Sequence, residues 1–297
     1  MTQSFCPDTF LKDTADLCSS FEAPYSELVT RTVLQTFASS FQGGAVLWRI
    51  TNFKEDGLNY RFYERASVDL IRPALEAGLL SSSHPLLPLI ASWSALYPES
   101  QQSCDFDTES GLTKTWIYLG GMRPLGQVLA SQHVPETLKQ LQPAFRFLEL
   151  NLVRHIAIDW RSSTVNLYFR VEGALSHAKA CDLMLLARAS PPTEKQVAEI
   201  RQFMHPSGFT FSVTISVTTG RVQRVGFYAL RLPRGELPDV GQRLERFFKT
   251  AKSYDMEEMN AVAWSFGETR SYLKAERSYC GNLVELMKGW KSILVAE

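Results

Sequence analysis

The sequence predicts an α+β protein in which ten antiparallel strands close into a barrel with a polar lumen, surrounded by a ring of helices. Three observations carry this. Five segments, residues 45–65, 104–120, 155–171, 209–232 and 261–279, read as β-hairpins with polar turns. Helical patterns fall between them, so that helix, strand, strand, helix repeats five times without a long linker. The second strand of each hairpin alternates between an apolar face and a basic, polar or aromatic one. Amphipathic helices need an apolar surface to cover, which puts them outside and turns the polar face inward. Ten strands leave a lumen wide enough for a ligand. An open sheet with one wet face has the same alternation; the tyrosines and tryptophan on the polar face favour the barrel, because a solvated face rarely carries so many.

In chain order, residues 25–41 keep Leu28, Val29, Val33, Leu34 and Phe37 at helical spacing. The first hairpin turns at Lys54 to Gly57 and sets Arg61 and Tyr63 against Phe62. Residues 68–80, ending near Gly78, and 86–97 follow as helices. The second hairpin turns at Thr108 to Gly111 and sets Lys114, Trp116 and Tyr118 against Thr115, Ile117 and Leu119. A helix over 136–152 leads to the third, which turns at Arg161 to Ser163. Its second strand opposes Asn166, Tyr168 and Arg170 to Val165, Leu167, Phe169 and Val171. Helices over 175–188 and 194–204 precede the fourth hairpin, whose turn is Thr218 to Gly220 and whose polar face holds Arg224, Gly226 and Tyr228. An amphipathic helix over 236–250, with Leu244, Phe247 and Phe248 on its apolar side, leads to the last hairpin, which turns at Gly267 to Thr269. There Lys274, Glu276 and Ser278 oppose Leu273, Ala275, Arg277 and Tyr279. A helix over 282–295 closes the chain.

The whole chain, 1–297, reads as one domain. Its 31 basic and 31 acidic residues balance, so there is no global attraction to nucleic acid or an anionic membrane. Five scattered cysteines without a CxxC pair propose neither a disulfide framework nor a zinc site and point to a reducing compartment. The N-terminal residues do not read as a secretory leader, and no apolar run is long enough to span a bilayer. The expectation is a cytoplasmic protein, monomeric because helices cover the barrel.

If the barrel closes, Arg61, Lys114, Arg224 and Lys274 converge from four strands. Like charges repel by roughly 4 kcal/mol per pair 4 Å apart at an effective dielectric of 20, so such a cluster calls for a polyanion such as a diphosphate. Tyr63, Trp116, Tyr118, Tyr168 and Tyr228 would offer ring faces that stabilise a carbocation. Glu276 and Arg154 remain to orient a second substrate. Nucleotide-binding and metalloprotease motifs are missing, no DDxxD-type cluster offers to hold magnesium, and the five histidines are dispersed, as structural histidines are.

Eight stretches together carry a family resemblance: FQGGAVLWRIT, LNYRFYER, LEAGLL, GLTKTWIYLGGMRP, AIDWRSSTVNLYFR, RVGFYALRLP, NAVAWSFG and SYLKAERSYCGN. Over essentially its whole length the chain resembles the soluble aromatic prenyltransferases with the ABBA barrel, in particular the clorobiocin and novobiocin branch with its dihydroxynaphthalene and phenazine relatives. The resemblance implies five αββα units around a ten-stranded barrel, and transfer of a dimethylallyl group from its diphosphate to a carbon of an electron-rich aromatic molecule. Lys114, Arg224 and Lys274 match the family's diphosphate-binding cations; Asn166, Tyr168 and Tyr228 join them as polar partners. Arg61 stands where magnesium-dependent members have an aspartate, which implies a metal-independent enzyme without a cofactor. Arg154 and Glu276 match acceptor-binding positions. The mechanism implied is dissociative: Lys114 and its neighbours stabilise the departing diphosphate, lumen aromatics shield the allyl cation, and Glu276, a water or the diphosphate takes the ring proton. A non-catalytic carrier of an isoprenoid diphosphate or aromatic metabolite would need much the same lumen. Cations aimed at a leaving group separate the two.

Overall fold

The computed structural model describes residues 5–295. Ten strands form its centre: β1 (Ala45–Thr51), β2 (Asn59–Tyr63), β3 (Gln101–Asp107), β4 (Gly111–Pro124), β5 (Leu152–Asp159), β6 (Thr164–Glu172), β7 (Gly208–Ser216), β8 (Val222–Ala229), β9 (Asn260–Gly267) and β10 (Ser271–Cys280). Each pairs antiparallel with its neighbours in sequence, and β1 pairs with β10, so the sheet is a closed barrel as expected. The seam joins Arg49 to Glu276 and Thr51 to Lys274 in register.

Twelve helices surround it among the described residues: α1 (Pro7–Phe21), α2 (Glu27–Thr36), α3 (Ala38–Gly43), α4 (Ile71–Glu76), α5 (Leu87–Ser94), α6 (Leu125–Leu129), α7 (Glu136–Lys139), α8 (Gln142–Phe147), α9 (His177–Leu185), α10 (Glu194–Gln202), α11 (Gly241–Thr250) and α12 (Leu283–Gly289). None of these is long and apolar enough to cross a membrane. Their starts follow local chemistry. Ser26 caps α2 by accepting from Val29 N at 3.3 Å, and Thr193 with Gln196 closes a capping box at α10.

The helices differ from expectation where proline and chain direction intervene. Residues 136–152 are not one helix. Pro143 has no N–H for the carbonyl of Lys139 and its ring crowds that carbonyl, so the chain breaks into α7 and α8. Glu149, at φ +59°, then turns the chain out of helix, and β5 begins at Leu152. The helix expected over 236–250 begins only at Gly241, three residues after Pro238. α1 and α6 lie outside the helices predicted above. In α1 the buried Phe10 stacks on Trp48 at 4.7 Å and 4°; burial of such a side chain contributes roughly 2–3 kcal/mol.

One large apolar core fills the layer between barrel and helices, where outward residues such as Phe62, Ile117, Leu167 and Phe227 meet Phe37, Trp93, Phe145 and Phe247. A smaller cluster joins α12 and Trp290 to Leu47, Tyr63 and Ala261, and so caps one end of the lumen. All five hairpin turns lie at the other end. Every even-numbered strand therefore runs from the turn end toward the capped end.

Candidate active site

That shared direction sorts the lumen by chemistry. Along β2, β4, β6 and β8 a charged or amide side chain precedes an aromatic one: Arg61 before Tyr63, Lys114 before Trp116, Asn166 before Tyr168, Arg224 before Tyr228. On β10 Lys274 lies nearer the turns and Glu276 nearer the cap. Most of the expected site residues are thus brought to one lumen, with Lys114, Arg224 and Lys274 toward the turn end and most rings toward the cap, where Arg61 and Arg154 also reach.

The charges are not four bare cations, and here the sequence-based expectation is corrected. Arg49 on β1 is a fifth, and three carboxylates face the group. Asp105 on β3, buried to 1 %, holds Arg61 through both carboxylate oxygens, with Nη2 to Oδ2 at 3.0 Å. It also lies 3.6 Å from Arg49 Nη1 and accepts from Trp116 Nε1 at 2.9 Å. Arg61 further donates to the Tyr63 hydroxyl at 2.5 Å, lies 3.6 Å from Glu276, and covers the Trp116 ring at 4.2 Å. Lys114 pairs with Asp159 on β5 at 3.2 Å. Among the described residues Lys274 has no carboxylate this close; its Nζ lies 5.9 Å from the centre of the Tyr228 ring and 5.4 Å from that of Tyr272. Arg49, Asp105 and Asp159 lie on the first strands of their hairpins, where the alternation of the second strands gave no signal. Lumen parity would have found them, since Asp105 faces Arg61 across one ladder and Lys114 across the other.

Burial and neighbouring charge set the protonation states. Burial alone would raise the Asp105 carboxyl, but Arg61 and Arg49 beside it hold it below the ordinary aspartate range. Burial pulls the Lys114 ammonium down to about 8 against the pull of Asp159, and Arg49, Arg224 and Lys274 push the same way as burial. Lys274 is lowered too, by burial with Arg224 and Arg49 adding to it. Among the described residues three buried polar atoms toward the turn end have no partner: Asn166 Nδ2, Arg224 Nε and Ser265 Oγ. Asn166 is held in place by Thr214, whose hydroxyl donates to Oδ1 at 2.6 Å, and that leaves its amide hydrogens free. Orphaned donors beside surplus positive charge fit an anion with several acceptor oxygens. Among the described residues no group of three or more His, Cys, Asp or Glu side chains is placed to hold a metal ion.

Toward the cap lies a narrow cavity of about 60 Å³. Tyr63, Trp116, Tyr168 and Tyr228 line it together with Glu276, and Met287, Trp290 and Ile293 close it from the C-terminal segment. Tyr118, expected among the rings around the cation, instead packs against Trp290 with ring centres 4.9 Å apart and planes tilted by 32°, and does not line this cavity. Arg154 reaches the cavity but is engaged with the cap, donating to Ser292 Oγ at 3.1 Å and to the Lys291 carbonyl at 2.9 Å. At the turn end a polar mouth includes Arg224, Arg270 and Tyr272.

Comparison with known proteins points the same way. The family model described as aromatic prenyltransferase Orf2 matches residues 5–291. An aromatic prenyltransferase of Sclerotinia sclerotiorum is 48% identical, over 98% of this chain and 96% of its own length. The 4-hydroxyphenylpyruvate 3-dimethylallyltransferase of Streptomyces niveus is 39% identical, over 100% of this chain and 92% of its own length. Among solved structures, 5-dimethylallyltryptophan synthase from Streptomyces coelicolor superimposes with a TM-score of 0.59 at 13% identity, covering 94% of this chain and 99% of that one, and so shares the fold. With the closed barrel, the sorted lumen and these relatives in hand, the chain belongs to the aromatic prenyltransferase Orf2 family.

Proposed function

We propose that this protein transfers a dimethylallyl group from its diphosphate to a ring carbon of a hydroxylated aromatic molecule in secondary metabolism, without a divalent metal. The observation that carries this reading is the order of the lumen, with Lys114, Arg224, Lys274 and the orphaned donors of Asn166 and Arg224 toward the turns and a cavity lined by Tyr63, Trp116, Tyr168 and Tyr228 beyond them. The diphosphate lies among Lys114, Arg224, Lys274, Asn166 and Arg61, with the hydroxyls of Tyr168 and Tyr228 at its prenyl side. Its tail points into the aromatic zone, where Tyr63, Trp116 and Tyr168 shield the allyl cation from water. The acceptor occupies the capped cavity beside Glu276 and Arg154. As the C–O bond breaks, charge grows on the diphosphate where the cations are already placed, which stabilises the transition state more than the ground state. The ring carbon attacks the cation, and the arenium ion loses its proton to Glu276 or the departing diphosphate.

In this reading Arg61 supplies a fixed positive charge where a metal ion would otherwise stand, and Asp105, shared with Arg49, orients it. The test is product formation from dimethylallyl diphosphate and a phenolic panel containing 4-hydroxyphenylpyruvate and 1-naphthol, run with EDTA and again with magnesium. Equal rates are expected. Product formed only with magnesium would overturn the role of Arg61, and no product on any acceptor would overturn the reaction.

Lys114 supplies a second expected outcome. Its ammonium is charged below about pH 8 and neutral above it in the empty site, and a bound diphosphate raises that value by favouring the charged form. Donor binding therefore takes up protons. The apparent Kd for the diphosphate should be flat below about pH 7 and weaken above pH 8, by about tenfold per unit if one proton is required. Calorimetry in buffers of different ionisation enthalpy checks the proton uptake; a Kd independent of pH between 7 and 9 would remove Lys114 from the site.

A further inference from the structure

The wall of the capped cavity contains a polar group that the proposed transfer does not use. His155 lies on β5, at a bulge that shifts the register between Val153 and itself, opposite Tyr118 on β4 and Tyr168 on β6. Its ring centre is 5.1 Å from those of Tyr118 and Trp290 and 6.5 Å from those of Trp116 and Tyr168. It lines the cavity, and its Nε2 is buried without a hydrogen-bond partner. Sequence reading set all five histidines aside as structural; the structure separates this one from the rest.

The other polar groups of the cavity narrow its role. Arg61, Arg154 and Arg170 can only donate, Glu276 already faces Arg61 at 3.6 Å, and the Tyr63 and Ser292 hydroxyls already accept from Arg61 and Arg154, which leaves only the Tyr168, Tyr228 and Thr210 hydroxyls beside the imidazole. Burial, with Arg154 and Arg61 adding to it, pushes the imidazole well below its ordinary value, so it stays neutral. A neutral imidazole carries one N–H and one lone pair, whichever nitrogen holds the proton. It is therefore a neutral hydrogen-bond acceptor on a wall rich in cationic donors. An aromatic hydroxyl that donates its proton to such a group becomes a stronger electron donor to its own ring. One that accepts from an arginine becomes a weaker one.

We propose that His155 reads the acceptor, accepting a hydrogen bond from a ring hydroxyl, selecting hydroxylated aromatics over their unsubstituted counterparts and fixing which ring carbon faces the donor. This deepens the reading of the protein as a prenyltransferase acting on hydroxylated rings and rests on it. Two matched pairs test it, 4-hydroxyphenylpyruvate with phenylpyruvate and 1-naphthol with naphthalene, each differing by one hydroxyl. Dissociation constants are measured by quenching of tryptophan fluorescence. The wild type should favour the hydroxylated member by about tenfold, the scale of one buried hydrogen bond. His155→Leu should shrink that preference to less than about threefold while leaving affinity for the unsubstituted member unchanged, and His155→Gln should restore part of it. A leucine variant that keeps the wild-type ratio, or a glutamine variant no better than leucine, overturns the proposal. So does a wild type that does not discriminate within either pair. If the wild type discriminates through His155 yet forms no prenylated product, the reaction falls and the recognition stands.

Discussion

Replacing Lys114 with methionine is expected to lower kcat by roughly 10²–10³-fold, the usual cost of removing one preorganised charge from a developing anion, while costing little stability. The two halves of that expectation have one cause. Burial already pulls the Lys114 ammonium down to about 8, so in the empty protein its charge is only weakly favoured. Methionine keeps most of the stem's packing and removes a charge that folding gains little from. Asp159 loses its partner but keeps the hydrogen bond from Ser162 N at 3.0 Å and remains partly open to solvent. During transfer the balance reverses. Diphosphate oxygens gain charge in the same buried space, and there the lysine acts at full strength. Steady-state kinetics alongside urea unfolding separates the two quantities. A variant that is destabilised but turns over normally would make Lys114 a structural ion-pair partner and nothing more.

Asp105→Leu should do the opposite, with a large loss of stability as its first effect. Asp105 is the counter-charge for the buried guanidinium of Arg61 and the half-buried one of Arg49, and also holds the Trp116 indole. Removing one partner of a buried ion pair leaves the other charged without compensation, at a cost of roughly 3–5 kcal/mol. Arg61 cannot escape by deprotonation, because a guanidinium stays charged at any ordinary pH. Urea unfolding measures the loss, and one below about 1 kcal/mol would mean that Tyr63 and Glu276 carry Arg61 without help. Asp105→Asn keeps an acceptor for the Trp116 indole and should fall between leucine and wild type.

The two residues illustrate what sequence could and could not deliver. Lys114 was legible because β4 alternates, and one glance along Lys114, Trp116 and Tyr118 puts all three on one face. Asp105 was not, because an aspartate on a first strand reads as solvent-facing until closure sets it between Arg61 and Lys114. In β3 Ser103, Asp105 and Asp107 alternate with Cys104 and Phe106, and only Gln102 interrupts the pattern. The barrel was legible for a deeper reason: helices need an apolar partner, so the polar face had nowhere to go but inward. Helix ends were harder to read, and the break at Pro143 was a signal that an otherwise amphipathic run obscured. His155 was out of reach. Its significance lies in an orphaned nitrogen among four rings contributed by two other strands and the C-terminal segment, and none of that is local in sequence.

The seam between β1 and β10 has a consequence for how the chain comes off the ribosome. Strands so distant in sequence give the fold a high contact order, and most of their pairing waits until the final hairpin has been made. Until then the nascent sheet has two bare edges, β1 and whichever strand was last synthesised, each a template for pairing with another chain. Helices can settle on the outer face early. The lumen cannot: its cations meet their carboxylates only across neighbouring strands, and Arg49 faces Glu276 only across the closed seam. Closure is thus the step at which the nascent chain loses its last sites for aggregation and also completes its active site.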